Sequence, residues 1–145
     1  MKSLVIFDSN FGNTKIIAEA LAKELHGISK HVKSATIKDI EACNLLIVGS
    51  PINGWTATEA TRKFLTNLEH ASLKSKYVTS FDTRMQVFFH GDAMTKIKNK
   101  LVSLEGQLIS PPISFFVNGK EGPLLDGELA KAKTWASKIK QELEK

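Results

Sequence analysis

The sequence predicts a doubly wound α/β domain: a three-layer α/β/α sandwich built on a five-stranded parallel sheet. Three observations carry that expectation. Two uninterrupted apolar runs, Leu4-Val5-Ile6-Phe7 and Leu45-Leu46-Ile47-Val48, have the composition of strands buried on both faces. Segments with an apolar stripe at helical spacing follow the strand candidates, so that strand and helix alternate five times. The chain has 145 residues, 42% hydrophobic and 24% charged, which suits one domain over 1–145 with its own core.

Taken in order, residues 4–7 make the first strand. Residues 13–26 make a helix with Ile17, Leu21 and Leu25 on one face and Gly27 at its stop. Residues 34–37 are a weak strand candidate, and residues 39–43 make one helical turn. Residues 45–48 form the second buried strand, ended by Gly49-Ser50-Pro51. A turn at Ile52-Asn53-Gly54-Trp55 leads to a helix capped by Thr56 or Thr58, with Ala60, Phe64, Leu65 and Leu68 inward. Residues 76–81 make the third strong strand, which Asp82, Thr83 and Arg84 leave at its end. Asp92 caps a helix that uses Ala93, Met94, Ile97, Leu101 and Leu104. The stretch from Gln107 to Val117 reads as a last strand interrupted by Pro111-Pro112, hence at an edge or bulged. Gly127 begins a final helix that buries Leu129, Ala132, Trp135, Ala136, Ile139 and Leu143.

Composition excludes several classes. The net charge is +5, but residues 1–91 carry eleven basic and eight acidic groups and residues 92–145 nine and seven. The excess is spread out, so no nucleic-acid-binding stripe is expected. No apolar run approaches the ~20 residues of a membrane span. The apolar run at residues 4–7 is too short for a signal peptide, and a cytoplasmic location is expected. One cysteine, Cys43, excludes an internal disulfide, and its position just before a strand reads as packing. His26, His31, His70 and His90 show no metal-ligand spacing, so no metal site is expected. The chain lacks G-x-x-x-x-G-K-[ST], which excludes a P-loop nucleotide triphosphatase.

In sheets of this kind ligands bind beyond the carboxyl ends of the strands, where the strand order reverses. The loops available there are 8–14, 49–56 and 82–91. The first holds Ser9, Asn10, Phe11, Gly12, Asn13 and Thr14 and enters a helix directly. Hydroxyl, amide and backbone N–H groups there can face an anion, and the helix N-terminus adds roughly half a positive charge. No lysine takes part. The same residue types also make an ordinary turn and helix cap. Trp55 offers apolar area on which a flat ring can stack, beside Asn53-Gly54, a pair that tolerates positive φ.

Val5-Ile6-Phe7-x-Ser9-x-x-Gly12-x-Thr14-x-x-x-Ala18-x-x-Leu21 resembles the flavodoxin signature, and the likeness covers essentially the whole chain. The chain is similar to the short form of the flavodoxin and nitric-oxide-synthase FMN-domain family. Flavodoxin is itself a type example of doubly wound sheets, so the strand order 2-1-3-4-5 is taken from the resemblance. The resemblance implies FMN as cofactor, with its phosphate on Ser9 to Thr14. It further implies a second flavin loop at Pro51, Ile52, Asn53, Gly54 and Trp55, and a third beginning at Asp82, Thr83 and Arg84. In the family a peptide of the second loop turns over when the flavin is half-reduced; the Asn53–Gly54 region stands at that place. Where flavodoxins usually offer a tyrosine in the third loop, this chain has Asp82 to Met85 and then Phe88, Phe89 and His90, of which Phe89 or His90 is the stacking candidate.

The implied function is an electron carrier that moves one or two electrons between redox partners, with no catalytic residue of its own. A basic chain implies a partner with an acidic docking face. Two alternatives remain at this point: an FMN-dependent NAD(P)H:quinone-type reductase, and a flavodoxin-fold binding or regulatory module that has lost FMN.

Overall fold

The computed structural model describes residues 2–68, 73–87 and 90–145. In chain order the elements are β1 (Ser3–Phe7), α1 (Asn13–Glu24), β2 (Ile28–His31), α2 (Ile37–Ala42), β3 (Leu45–Asn53) and β4 (Thr56–Ala57). They continue with α3 (Glu59–Asn67), β5 (Tyr77–Met85), α4 (Met94–Ser103), β6 (Gln107–Leu108), β7 (Ile113–Val117) and α5 (Glu128–Leu143).

The sheet runs β2-β1-β3-β5-β6, with β7 also parallel to β5 and β4 folded back antiparallel on β3. Because β6 and β7 both lie along β5, they are two pieces of one strand, and the parallel order is 2-1-3-4-5. The break sits at the prolines. From Val78 to Phe81 β5 advances three residues, while its partner advances five, from Leu108 to Ile113. Two extra residues therefore bulge out around Pro111 and Pro112, which have no N–H to give a ladder.

Side chains alternate across a strand, so each buried run feeds two cores. Val5, Phe7, Leu45 and Ile47 pack with Ile17 and Leu21 of α1 and Trp135 and Ile139 of α5. Leu4, Ile6, Leu46 and Val48 pack on the opposite face with Ile40 of α2, Leu65 of α3 and Ile97 and Leu101 of α4. Two packed faces explain why these strands read as continuous apolar runs rather than as alternations.

Four local expectations are corrected. The second strand is residues 28–31, not 34–37. It is an edge strand whose Ile28 is 54% exposed, so it carries no apolar run to read. Residues 34–37 instead turn into α2, started by a capping box in which Thr36 accepts from the Asp39 N–H and Asp39 accepts from the Thr36 N–H. Both central strands also run further than their apolar cores. Gly49 to Asn53 and Asp82 to Met85 are strand residues, paired as Ser50 with Asp82 and Pro51 with Thr83. Finally, Leu129 lies 42% exposed on the outer side of α5.

Candidate functional site

The first loop is shaped by its own polar groups. The Asp8 carboxylate accepts from the Ser9 N–H, and the Ser9 hydroxyl accepts from the Gly12 N–H at 3.0 Å. Gly12 then starts α1 with φ of 92°, a left-handed value that suits glycine, and brings no side chain to cap the helix. A helix leaves its first N–H groups without internal partners, so those of Asn13, Thr14 and Lys15 stand at the mouth of the loop. Together with the helix dipole they make a place for an anion.

Neighbouring elements hold that loop in place. The Thr14 and Thr83 hydroxyls are 2.8 Å apart, the Asn10 amide donates to the Asn53 Oδ1 at 2.8 Å, and the Asn13 amide donates to the Glu121 carbonyl at 3.1 Å. The last contact brings in a fourth loop, between β7 and α5, which the sequence did not point out. Its signals were Gly119, Gly122 and Pro123, which mark a turn without marking a site.

The second loop is a two-residue hairpin. Asn53 pairs with Thr56, and Gly54 and Trp55 between them have φ of 56° and 73°. Positive φ at both central positions is a type I′ turn. Gly54 takes this readily, whereas a bulky aromatic in the left-handed region is a genuine outlier. Trp55 is nevertheless 61% exposed, so burial does not explain its presence there. Its carbonyl accepts from the Asp92 N–H at 3.0 Å, tying the hairpin to the start of α4.

The third group is placed less simply. Asp82 has no exposed surface, and its carboxylate accepts from the Ala93 and Met94 N–H groups and from the Ser114 hydroxyl. It also holds Arg84, whose Nε donates to Oδ1 at 3.0 Å and whose Nη2 donates to Oδ2 at 2.5 Å. Nη2 further donates to Asp92, and Nη1 lies 2.7 Å from the His90 Nδ1, which is also 2.8 Å from the Gly91 carbonyl. Burial works against the guanidinium's charge, but Asp82 and Asp92 outweigh it and hold the pKa of Arg84 above its ordinary value. Phe88 and Phe89 lie outside the described residues.

These pieces converge on a cleft of about 280 Å³ whose walls include Trp55, Arg84, Val87, His90, Val117 and Lys120. Of the residues expected from sequence, Ile52, Gly54, Trp55, Thr83 and Arg84 line it. Ser9 to Thr14 adjoin it through Thr14 and Asn10, and Asp82 reaches it only through Arg84. A larger hollow of about 510 Å³ lies between α2 and α3, where the six-residue α2 covers little of its side; none of the four loops lines it.

The fold and the cleft define a doubly wound α/β domain with an anion-ready loop at its switch point. The chain belongs to the flavodoxin domain family, whose model matches residues 4–112. No curated protein matches the sequence significantly. Among solved structures it resembles oxidised flavodoxin 1 from Bacillus cereus (TM-score 0.85, 17% identity, 97% of this chain and 98% of that one). It is similar too to a flavodoxin from the domain Archaea (TM-score 0.83, 18% identity, all of both chains). It also overlays 37% of the rubredoxin oxygen:oxidoreductase of Desulfovibrio gigas, with 98% of this chain covered, TM-score 0.80 and 17% identity.

Proposed function

We propose that this chain binds FMN non-covalently and carries one or two electrons between redox partners. The observation that bears most weight is the β1–α1 loop: an uncapped helix N-terminus, polar side chains and no lysine, set directly against the loop that presents Trp55. That donor set fits the terminal phosphate of FMN, and the cleft beside Trp55 fits its flat end. Ser9 to Thr14 hold the phosphate in this reading. Pro51 to Trp55 flank the ring, and Thr83 and Arg84, with Asp82 behind them, form the inner wall.

When bound, the flavin supplies the electron chemistry; the protein orients it and sets its electrostatic surroundings. A Cβ added at Gly54 would meet nothing within 4 Å, so no neighbour crowds that side of the hairpin turn. Membership of the family and the likeness to flavodoxins support this reading. No helix among the described residues is long and apolar enough to cross a membrane, and the net charge of +5 favours a redox partner with an acidic docking face. The test is a visible spectrum of the purified chain before and after addition of FMN. A flavin band that stays with the protein through gel filtration is expected; free FMN separating completely from the chain defeats the proposal. NADH oxidation by the isolated flavoprotein would turn the reading toward a reductase.

A further inference from the structure

An open parallel sheet has two edges, and this chain protects them by different means. On one side β2 carries Lys30 and His31 among its four residues, and charge on an edge strand discourages pairing with another chain. On the other side β6 is only two residues long. The neighbouring β7 has neither safeguard. Its run Ile113-Ser114-Phe115-Phe116-Val117 is uncharged and rich in β-prone side chains, the composition of a strand that stacks on copies of itself. Among the described residues it pairs with β5 alone in the parallel sheet. In a parallel ladder alternate residues of an edge strand turn their main-chain groups away from the sheet. On β7 these are Ser114 and Phe116, continued by Asn118, and each is met from within the chain. The Lys131 ammonium donates to the Ser114 carbonyl at 2.6 Å, and the Phe116 N–H donates to the Glu128 carboxylate at 3.3 Å. The Phe116 carbonyl accepts from the Leu125 N–H at 2.9 Å, and the Asn118 N–H donates to the Pro123 carbonyl at 2.8 Å.

We propose that Glu128 and Lys131 guard the β7 edge: they take the hydrogen bonds that a sixth strand would make, and the strand they exclude is β7 of a second copy of this chain. Both side chains stand in the first turn of α5, yet they turn back onto the strand instead of out to water. The Glu128 side chain is only 12% exposed, and its carboxylate lies 3.1 Å from the Lys131 ammonium. That ammonium also sits 4.6 Å from the centre of the Phe116 ring and 5.2 Å from that of Phe115, so it lays a charge over the apolar strand. The loop half of the closure is tied to α1 by the bond from the Asn13 amide to the Glu121 carbonyl. The side-chain half is therefore the part that substitution can remove. This inference is independent of the cofactor.

The test is size-exclusion chromatography with light scattering over a range of concentrations, together with amide hydrogen exchange at Phe116. Where the unaltered chain is monomeric, that amide is expected to exchange about tenfold or more slowly than an unbonded one. Glu128→Ala with Lys131→Met opens the edge, while Met keeps an unbranched apolar stem over the two rings. This variant should self-associate at about tenfold lower concentration than the unaltered chain. Its Phe116 amide should exchange fast in the monomer and slowly in the associated form. Glu142→Ala with Lys145→Ala removes an ion pair at the far end of the same helix and should leave the association as it is in the unaltered chain. A guard variant that associates no more readily than the unaltered chain overturns the inference. So does an associated form whose Phe116 amide still exchanges freely, or equal association of the control pair. If the double variant does not fold, Lys131→Met alone is read in the same way. A Phe116 amide without protection in the unaltered monomer overturns the inference as well, and that measurement needs no variant to fold.

Discussion

The hydroxyls of Thr14 and Thr83 lie 2.8 Å apart, and both residues are buried. One lies in the first turn of α1 at the β1–α1 loop and the other sits on β5 beside Arg84, so a hydrogen bond joins that loop to the wall of the cleft. Both are strand- or helix-anchored, which gives the junction the stiffness that a contact between two free loops would lack.

Thr83→Val should therefore act on both ends. It keeps the side-chain shape and removes the bond, leaving the Thr14 hydroxyl in a buried place without its partner. A loss of about 1 kcal/mol in stability is expected, read by urea unfolding. FMN affinity should fall with it, because the first turn of α1 loses its tether. Unchanged affinity in a destabilised variant would separate the junction from ligand binding.

Trp55 invites the opposite combination. Its φ of 73° costs a non-glycine residue about 1 kcal/mol or more, and its ring is mostly in water. Trp55→Gly relieves that strain while loosening the unfolded chain, so stability should stay within about 1 kcal/mol of the original. FMN affinity should drop by about tenfold, since a stacking aromatic contributes on that scale. A strained, exposed aromatic that can be removed with little effect on the fold but with loss of binding is a ligand contact.

The parts legible in the sequence were those with a strong local signal. The two-faced strands, the signature from Val5 to Leu21 and the proline-broken last strand all appear where their patterns put them. The edge strand at Ile28 to His31 was hidden because half-exposed polar residues carry no period that burial would impose. The buried ends of β3 and β5 were hidden for a different reason. Ser50, Asp82, Thr83 and Arg84 are buried as a hydrogen-bonded polar set, and hydropathy cannot distinguish such a set from a loop. Lys120 joins the cleft only because the loop at 118–123 folds toward Asn13, a long-range contact with no local mark.

Two glycines near the site separate strain from collision. A Cβ added at Gly12 meets nothing within 4 Å, so Gly12→Ala feels only the left-handed φ and should cost about 1 kcal/mol. A Cβ at Gly91 would lie 2.2 Å from the Trp55 Cα, and that backbone is fixed by its bond from Asp92. Gly91→Ala must push the hairpin away from the start of α4. It should lose more stability than Gly12→Ala in parallel thermal melts, and its Trp55 fluorescence should shift. Equal melting temperatures for the two would contradict the contact.

The last prediction concerns acid. Lys30 donates to the Asp39 carboxylate at 2.9 Å, and the Thr36 N–H does the same from the capping box; these bonds, Lys30 first, hold the Asp39 pKa below its ordinary value. A carboxyl with a depressed folded pKa binds fewer protons when native than when unfolded. Its contribution is present above the unfolded value of 3.8 and is lost as pH falls through the folded value. Asp39→Asn should flatten the stability-versus-pH curve in that acid range and leave the slope above pH 5 unchanged, by urea unfolding at a series of pH values. Because the pair is near the surface, raised salt should shrink the difference between the two proteins. A carboxyl resonance of Asp39 titrating at or above the ordinary aspartate value would show that the box and Lys30 do not hold it in solution.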